Sequence, residues 1–146
     1  MKLSDLQQMW SEDCRIDETN LGKESARVPL LHSKYINLLS SNKLNLRKSE
    51  SDYYNCRRKK YRYYRGEMTR AELETEGWNQ WQGTKPLKNE IDEFLQGDSD
   101  LILLQDKIEY YKTIVYQLEQ IIRSINSRTW DIKSCIEWAK LSNGLM

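Results

Sequence analysis

The sequence predicts an all-helical protein, and three observations lead to that fold class. Only two prolines and six glycines occur in 146 residues, so the frequent turn signals that a β-sandwich or barrel needs are missing. Apolar residues recur at spacings of three and four, which is the period of one helix face. Charged residues make up 31% and apolar residues 38% of the chain. A chain this polar, about the size of one domain, buries little surface alone, which favours long helices and self-association.

A first helix is predicted at the N-terminus. Ser4 and Gln7 have the spacing of a capping box, in which two side chains bond the free amides of a first helical turn. Apolar side chains follow at helical spacing at Leu3, Leu6 and Trp10. We expect this helix to end before Ile16.

A second, much longer helix is predicted from about Leu21 to Tyr64, because no glycine lies between Gly22 and Gly66. Pro29 lies inside this range, where it lacks the N–H of a helical hydrogen bond and its ring clashes with the preceding turn. We therefore expect an irregularity at Pro29, with the regular helix beginning near Leu30.

The region from Glu67 to Gly97 is expected to be a linker with short helices. Thr69 and Glu72 form another capping-box pair, for a helix that Gly77 should end. Pro86 is expected to open a second short helix, which contains Ile91, Phe94 and Leu95.

Trp78 and Trp81, between these short helices, are expected to form a packed aromatic pair. The glycines and the lysine from Gly77 to Lys85 resemble a phosphate-binding loop only superficially. Their spacing is one residue too long, and Gly-Thr-Lys replaces the required Gly-Lys-Ser/Thr.

The last region carries a heptad pattern, the repeat by which helices pair. Its apolar positions continue through Thr129 to Ala139, although Asn126 and Ser127 could break the helix. Because Ile114 and Ile121 widen the apolar face, the pattern predicts a higher-order helical assembly. An intramolecular bundle with the second helix is the alternative. The candidate assembly positions are Leu101, Leu104, Ile108, Tyr111, Val115, Leu118, Ile122, Ile125, Ile132 and Ile136.

Charge is distributed very unevenly although the total is only +1. Residues 43–65 contain nine basic and two acidic residues, whereas residues 67–109 contain four basic and eleven acidic ones. The local net charges are therefore +7 and −7. A concentrated positive segment is typical of a protein that binds a polyanion. The alternative is a charge match within one chain or between subunits.

One face of the second helix combines cations with aromatic rings. A helical wheel places on a sector about 100° wide the side chains of Lys43, Arg47, Tyr54, Arg58, Tyr61, Arg62 and Arg65. Cations follow phosphates, and rings stack on unpaired bases, so this face favours single-stranded nucleic acid. Arg57, Lys59 and Lys60 belong to the same basic segment, but Lys60 lies outside the sector.

Most enzyme chemistry is disfavoured by the side chains available. His32 is the single histidine, and the three cysteines form no metal-binding or disulfide pattern, which is typical of reduced thiols in a cytosol. We expect no catalytic site, metal or cofactor. No apolar run resembles a signal peptide or a membrane span. The sequence divides into an N-terminal helical region that carries the candidate nucleic-acid-binding face (1–66), an acidic linker with short helices (67–97) and a C-terminal helical oligomerisation region (98–146).

A series of short blocks in a distinctive order covers most of the chain apart from about residues 67–95. The blocks are Leu3-x-Asp5-Leu6-Gln7, Ile16-Asp17-x-Thr19-x-Leu21, Leu31-x-Ser33-Lys34-x-x-Asn37, Tyr63-Tyr64-x-Gly66, Tyr110-Tyr111 and Ile125-x-Ser127-Arg128-x-Trp130-x-Ile132-Lys133. Through them the sequence resembles the UvsY recombination mediators of T-even-like bacteriophages.

The resemblance implies an extended helical protomer in a ring-like homo-oligomer of about six or seven subunits, with the C-terminal helices at its centre. It implies binding of single-stranded DNA through two basic residues spaced by one, which Arg58 and Lys60 match. The implied activity is loading a RecA-like recombinase onto strands covered by single-strand DNA-binding protein, in the cytoplasm of the infected bacterial host. An RNA-binding or chaperone-like helical protein and a structural coiled-coil adaptor are the alternatives.

Overall fold

Five helices make up the chain in the computed structural model, which describes residues 1–144. They are α1 (Leu3–Asp13), α2 (Leu21–Tyr64), α3 (Arg70–Glu76), α4 (Ile91–Gln96) and α5 (Ser99–Ser142). The described residues contain no β-strand, so the predicted all-α class is confirmed. None of these helices is both long enough and apolar enough to cross a membrane over the described part of the chain.

The chain packs as two compact units that do not follow the three predicted regions. The first unit consists of Met1–Leu44 together with the chain from Tyr111 onward, and the second consists of Asn45–Tyr110. The long helices α2 and α5 each contribute residues to both units. The three-region division stays a prediction about function.

The first unit is built on apolar side chains from α1, α2 and α5. Trp10 of α1 packs its ring edge-on against Tyr35 of α2, with 5.4 Å between the ring centroids. The fully buried residues of α5 here include several positions of the heptad pattern. The buried apolar side chains of this unit are Leu6, Leu31, Tyr35, Leu39, Ile114, Val115, Leu118, Ile121, Ile125 and Ile132.

Buried polar contacts hold the connection between α1 and α2 in the first unit. Arg128 of α5 is only 4% exposed. It donates hydrogen bonds to the backbone carbonyls of Cys14 and Arg15 at 3.0 and 2.7 Å, and pairs with Glu24 at 3.1 Å. Because these carbonyls follow the end of α1, the guanidinium satisfies acceptors that a helix end leaves open.

The second unit is centred on the C-terminal end of α2. Gly66 follows this helix with φ +69°, and the Glu67 amide bonds back to the Arg62 carbonyl at 2.9 Å. A left-handed glycine with this bond ends a helix without strain. The ring of the buried Tyr64 then meets Trp81 and Phe94 at centroid distances of 4.9 and 5.7 Å.

Several predicted boundaries are confirmed, since they depend on local chemistry. The α2 helix spans the predicted Leu21–Tyr64. The capping box of Thr69 and Glu72 is present, and Gly77 ends α3 with φ +71°. A cap at Asn20 was not predicted: its side-chain oxygen accepts from the Lys23 amide at 3.4 Å.

Pro29 lies inside a continuous α2, so the prediction that the regular helix begins only near Leu30 is wrong. Pro29 and Ser25, whose carbonyl loses its helical partner, are both exposed, and water can bond that carbonyl instead. The break considered possible at Asn126 and Ser127 does not occur. The Ser127 hydroxyl folds back to the Ser124 carbonyl at 2.9 Å, while Ile125 and Ile132 on either side are buried.

Two helix starts also differ from the predictions. The α1 helix begins one residue before Ser4, with Lys2 at its cap and no capping side chain. Pro86 is buried before a turn, and α4 begins only at Ile91. The residue that suits a helix start lies one position from the observed start of α1 and five positions from that of α4.

Candidate nucleic-acid interface

The basic part of α2 in the second unit presents an open face to solvent. The Arg47 side chain is 79% exposed, and its nearest carboxylate is Glu50 at 3.8 Å on the same helix. Arg58 is exposed, and its guanidinium donates a hydrogen bond to the Asn55 amide oxygen at 3.4 Å. Arg47 and Arg58 lie about 20° apart around the helix and roughly 16 Å apart along it. They therefore offer two cations on one line.

Tyr54 lies between these two arginines and is 64% exposed. The Tyr53 and Tyr54 rings form an edge-to-face pair with a centroid distance of 5.5 Å and an angle of 72°. Tyr53 in turn packs against the buried cluster around Tyr64. One side of the Tyr54 ring is thereby supported while its surface stays open, which suits stacking on an unpaired base.

Four other cations of the segment are paired with carboxylates. Arg62 bonds Glu72, and Lys59 bonds Glu76 at 2.6 Å, both on α3. Arg57 contacts Asp92 of α4 at 3.2 Å, and Arg65 contacts Glu67 at 3.0 Å. The hydrogen bonds that Arg62 donates to Glu72 raise the pKa of Arg62 and lower the pKa of Glu72. These pairs are all at least partly exposed.

Lys60 is placed differently from every other basic residue of the segment, because it is only 6% exposed. Its ammonium lies 3.2 Å from Asp98 and 2.8 Å from Asp100, and 4.1 Å from the centre of the Trp78 ring. Burial acts to lower the pKa of Lys60, but hydrogen bonds to the two aspartates outweigh it, so the pKa is raised. The side chain is therefore a charged structural contact.

Asp98 links this lysine to two helices. It precedes α5 and accepts from the Leu101 amide at 3.0 Å, and it accepts from the Tyr64 hydroxyl at 2.7 Å. Burial acts to raise the pKa of Asp98, yet bonds from Tyr64, Leu101 and Lys60 lower it overall. One buried carboxylate thus accepts hydrogen bonds from side chains at the end of α2 and from a backbone amide in the first turn of α5.

Two further residues that were predicted to contact a nucleic-acid strand, Tyr61 and Lys43, lie outside the open face. Tyr61 is half-buried, with the Arg65 guanidinium 5.6 Å from its ring centre. Lys43 belongs to the first unit, where it is exposed. The open face of the second unit therefore consists of Arg47, Tyr54 and Arg58. A role of Lys60 and Tyr61 at a strand stays a prediction.

The predicted assembly positions divide into buried and accessible residues within one chain. Leu101, Ile108, Val115, Leu118, Ile125 and Ile132 are buried, and Leu104, Tyr111 and Ile122 are intermediate. Ile136 is 36% exposed. Much of the heptad pattern therefore serves the core of the single chain, as the alternative of an intramolecular bundle expects.

Sequence reasoning missed the carboxylate partners of the basic helix. The match of +7 and −7 in neighbouring segments is the signal that could have found them, and an intramolecular charge match was one of the two open interpretations. In the structure, five of the nine basic residues of positions 43–65 pair with acidic residues of positions 67–109: Arg57, Lys59, Lys60, Arg62 and Arg65. Over residues 1–144 no group of three or more metal-ligating side chains is arranged to hold an ion.

Comparison with known proteins identifies the family. A family model described as "Recombination, repair and ssDNA binding protein UvsY" matches residues 9–145. The chain belongs to the UvsY family. The recombination protein UvsY of Enterobacteria phage T4 is 26% identical to it over 133 residues, which cover 91% of each chain.

Solved structures of T4 UvsY, a recombination mediator protein, have the same fold as this chain. One crystal form superposes with a TM-score of 0.83 at 24% identity and covers 98% of both chains. Another gives a TM-score of 0.80 at 25% identity and covers 97% of this chain and 99% of the other. The UvsY family comprises recombination, repair and single-stranded DNA-binding proteins.

Proposed function

We propose that this protein is a recombination mediator that binds single-stranded DNA and loads a RecA-like recombinase onto strands covered by single-strand DNA-binding protein. The proposed setting is the cytoplasm of an infected bacterial host. Membership of the UvsY family supports the ligand class. The observation that carries the proposal is the open face of Arg47, Tyr54 and Arg58.

This face suits a single strand better than a duplex. The two arginines can each approach a phosphate, and the Tyr54 ring between them can stack on one base without selecting its identity. A duplex keeps its bases stacked inside and is usually recognised by side chains that enter a groove. Sequence-independent binding of that kind is what a loading factor needs.

Self-association would multiply these weak contacts. The C-terminal part of α5 exposes apolar side chains that the single chain does not bury and that lie within about 80° of one another around the helix, namely Trp130 at 68%, Trp138 at 69% and Leu141 at 51%. Such a patch favours a protein interface. A ring of about six or seven subunits, which the family resemblance implies, would place several basic faces along one strand.

We infer the loading step from this geometry. Several faces that hold one strand would bend it, which weakens the contacts of the covering protein and frees a segment for the recombinase. No covalent chemistry is involved, and the chain would act as a binding protein without an enzymatic step.

Binding and loading can be tested together. Fluorescence anisotropy with a labelled single-stranded oligonucleotide, the matching RNA and the duplex, at about 50 and 200 mM salt, should rank single-stranded DNA first, with weaker binding at high salt. The chain should also raise the strand-dependent ATPase rate of a RecA-like recombinase on covered DNA. Preferred binding of RNA would favour the RNA-binding alternative, and no nucleic-acid binding would favour the adaptor.

The assembly proposal has its own test. Trp130→Lys with Trp138→Lys should lower the mass found by analytical ultracentrifugation and weaken strand binding at least tenfold, because multivalency is lost. Leu30→Lys is the matched control, since Leu30 is 71% exposed on another helix, and it should leave the mass unchanged. Full oligomer mass in the double variant would contradict an interface at this patch.

A further inference from the structure

The short helix α3 is attached to the basic helix mainly by charge. It spans seven residues and buries none of them. Glu72 and Glu76, one turn apart, face Arg62 and Lys59 on α2. A depression of about 330 Å³ remains between the paired residues, so apolar packing contributes little to this contact.

The two glutamates occupy the places that strand phosphates would take. Arg62 donates from both terminal nitrogens to the two Glu72 oxygens, at 2.5 and 3.1 Å, and a guanidinium fork binds phosphate in the same way. Lys59 donates to Glu76 at 2.6 Å. Carboxylates thus fill the donor sites of both cations.

These occupied cations adjoin the open face. Asn55, Arg58, Lys59 and Arg62 line one shallow depression of about 520 Å³. A strand that contacts Arg58 therefore reaches Lys59 and Arg62 at the same surface, where its phosphates compete with the carboxylates of α3.

We propose that α3 is an internal competitor for the strand: Glu72 and Glu76 hold Arg62 and Lys59 until phosphates displace them. This inference rests on the proposed function and adds regulation of the same site. Displacement is inexpensive because exposed ion pairs contribute little to stability and α3 buries no side chain. The competitor weakens the binding of isolated phosphate groups. Stable binding then requires a strand long enough to engage Arg58 as well.

The test removes the two charges and keeps the fold. Glu72→Gln with Glu76→Gln preserves the capping box, because glutamine also serves at that position. The matched control is Glu74→Gln with Glu90→Gln, which changes the net charge equally. Glu74 pairs only within α3, with Arg70, and Glu90 is exposed. Affinity for a labelled oligodeoxythymidylate is measured by anisotropy at about 50 and 200 mM salt.

The glutamine pair should bind roughly three- to tenfold more tightly at low salt, whereas the control should change less than about twofold. The salt slope of the glutamine pair should be steeper than that of the wild type by up to about two. In the wild type, the carboxylates that the strand displaces take up cations from solution, which offsets part of the counterion release. In the wild type, hydrogen exchange of the α3 amides should accelerate when the oligonucleotide is added.

Three outcomes would overturn the inference. An equal gain in the control would show an effect of net charge alone. Weaker binding of the glutamine pair would mean that the glutamates position the cations for phosphate. Unchanged or slower exchange of the α3 amides in the bound state would show that α3 stays in place. If the wild type binds no strand at either salt concentration, the proposed function itself fails.

Discussion

Two sides of one helical segment use the same chemistry for opposite purposes. Arg58 is exposed and has no carboxylate partner among the described residues, whereas Lys60, two positions later, is 6% exposed between Asp98 and Asp100. The first cation can bind an external anion. The second is bound to internal anions whose loss would leave a charge in a poorly solvated site. Position around the helix therefore decides availability more strongly than residue type.

The largest expected effect is on the buried side. Asp98→Ala should lower the free energy of unfolding by about 3–5 kcal/mol, because it leaves the Lys60 ammonium poorly paired and removes the cap of α5. Urea unfolding followed by circular dichroism measures this. Asp92→Ala, which removes an exposed partner of Arg57, should cost about 0–1 kcal/mol. Equal losses of unfolding free energy in the two variants would show that the buried and the exposed pair contribute alike to stability.

The second effect concerns the exposed ring. Tyr54→Ala should weaken single-strand binding by about 1–3 kcal/mol with little change in the salt slope, because stacking carries no charge. Tyr54→Phe should bind almost as tightly as the wild type. Tyr61→Ala should act chiefly on stability, since that ring packs against the buried cluster around Tyr64. A larger binding loss for Tyr61→Ala at intact stability would move the stacking site to Tyr61.

A third, smaller effect separates the two basic residues that the family resemblance implies. Arg58→Ala should weaken binding at every sequence and reduce the salt slope by about one, the value for one phosphate contact. Lys60→Met, which keeps the aliphatic length, should lower stability and leave the slope unchanged. A reduced slope in a folded Lys60→Met variant would show that Lys60 reaches the strand.

The smallest effect is on acid stability. Since the pKa of Asp98 is lower in the folded chain, its contribution is present above the ordinary aspartate pKa of about 3.9 and is lost as pH falls through the folded value. Urea midpoints should therefore stay level between pH 7 and about 5 and fall below about pH 4. Asp98→Asn should start from a lower midpoint and show a shallower acid decline. An acid decline of the urea midpoint that is unchanged in Asp98→Asn would show that other carboxylates cause it.

The elements that sequence reasoning predicted best are those set by neighbouring residues. The capping box of Thr69 and Glu72 and the glycine after α3 depend on contacts within one or two turns, so the sequence pattern was sufficient. The end of α2 is similar. At Pro29 the prediction failed because α2 is anchored on both sides of the proline by the buried Glu24 and Leu31, while the Ser25 carbonyl that loses its helical partner belongs to an exposed residue.

The site was only partly predictable for a related reason. The helical wheel identified the face of Arg47, Tyr54 and Arg58 because these positions share one helix. It could not assign Glu76 to Lys59 or Asp98 to Lys60, since those partners return from 17 and 38 residues away along a path that only the fold determines. The heptad pattern had the same limit, because a helix seam can face a neighbouring chain or its own core.

The buried Arg128 has a consequence for the order in which the chain folds during synthesis. The carbonyls that it bonds lie 114 and 113 residues earlier. At a ribosomal rate of roughly 5–20 residues per second, they wait on the order of 6–23 seconds for this donor, and only the Arg15 carbonyl has an earlier one, the Arg27 guanidinium at 3.4 Å. The N-terminal helix can meet α2 early, through Asp13 with Lys34 and Tyr35. Its connecting turn is completed only when most of the protein has been translated, so nascent chains that stop before this arginine should keep that turn open to proteases.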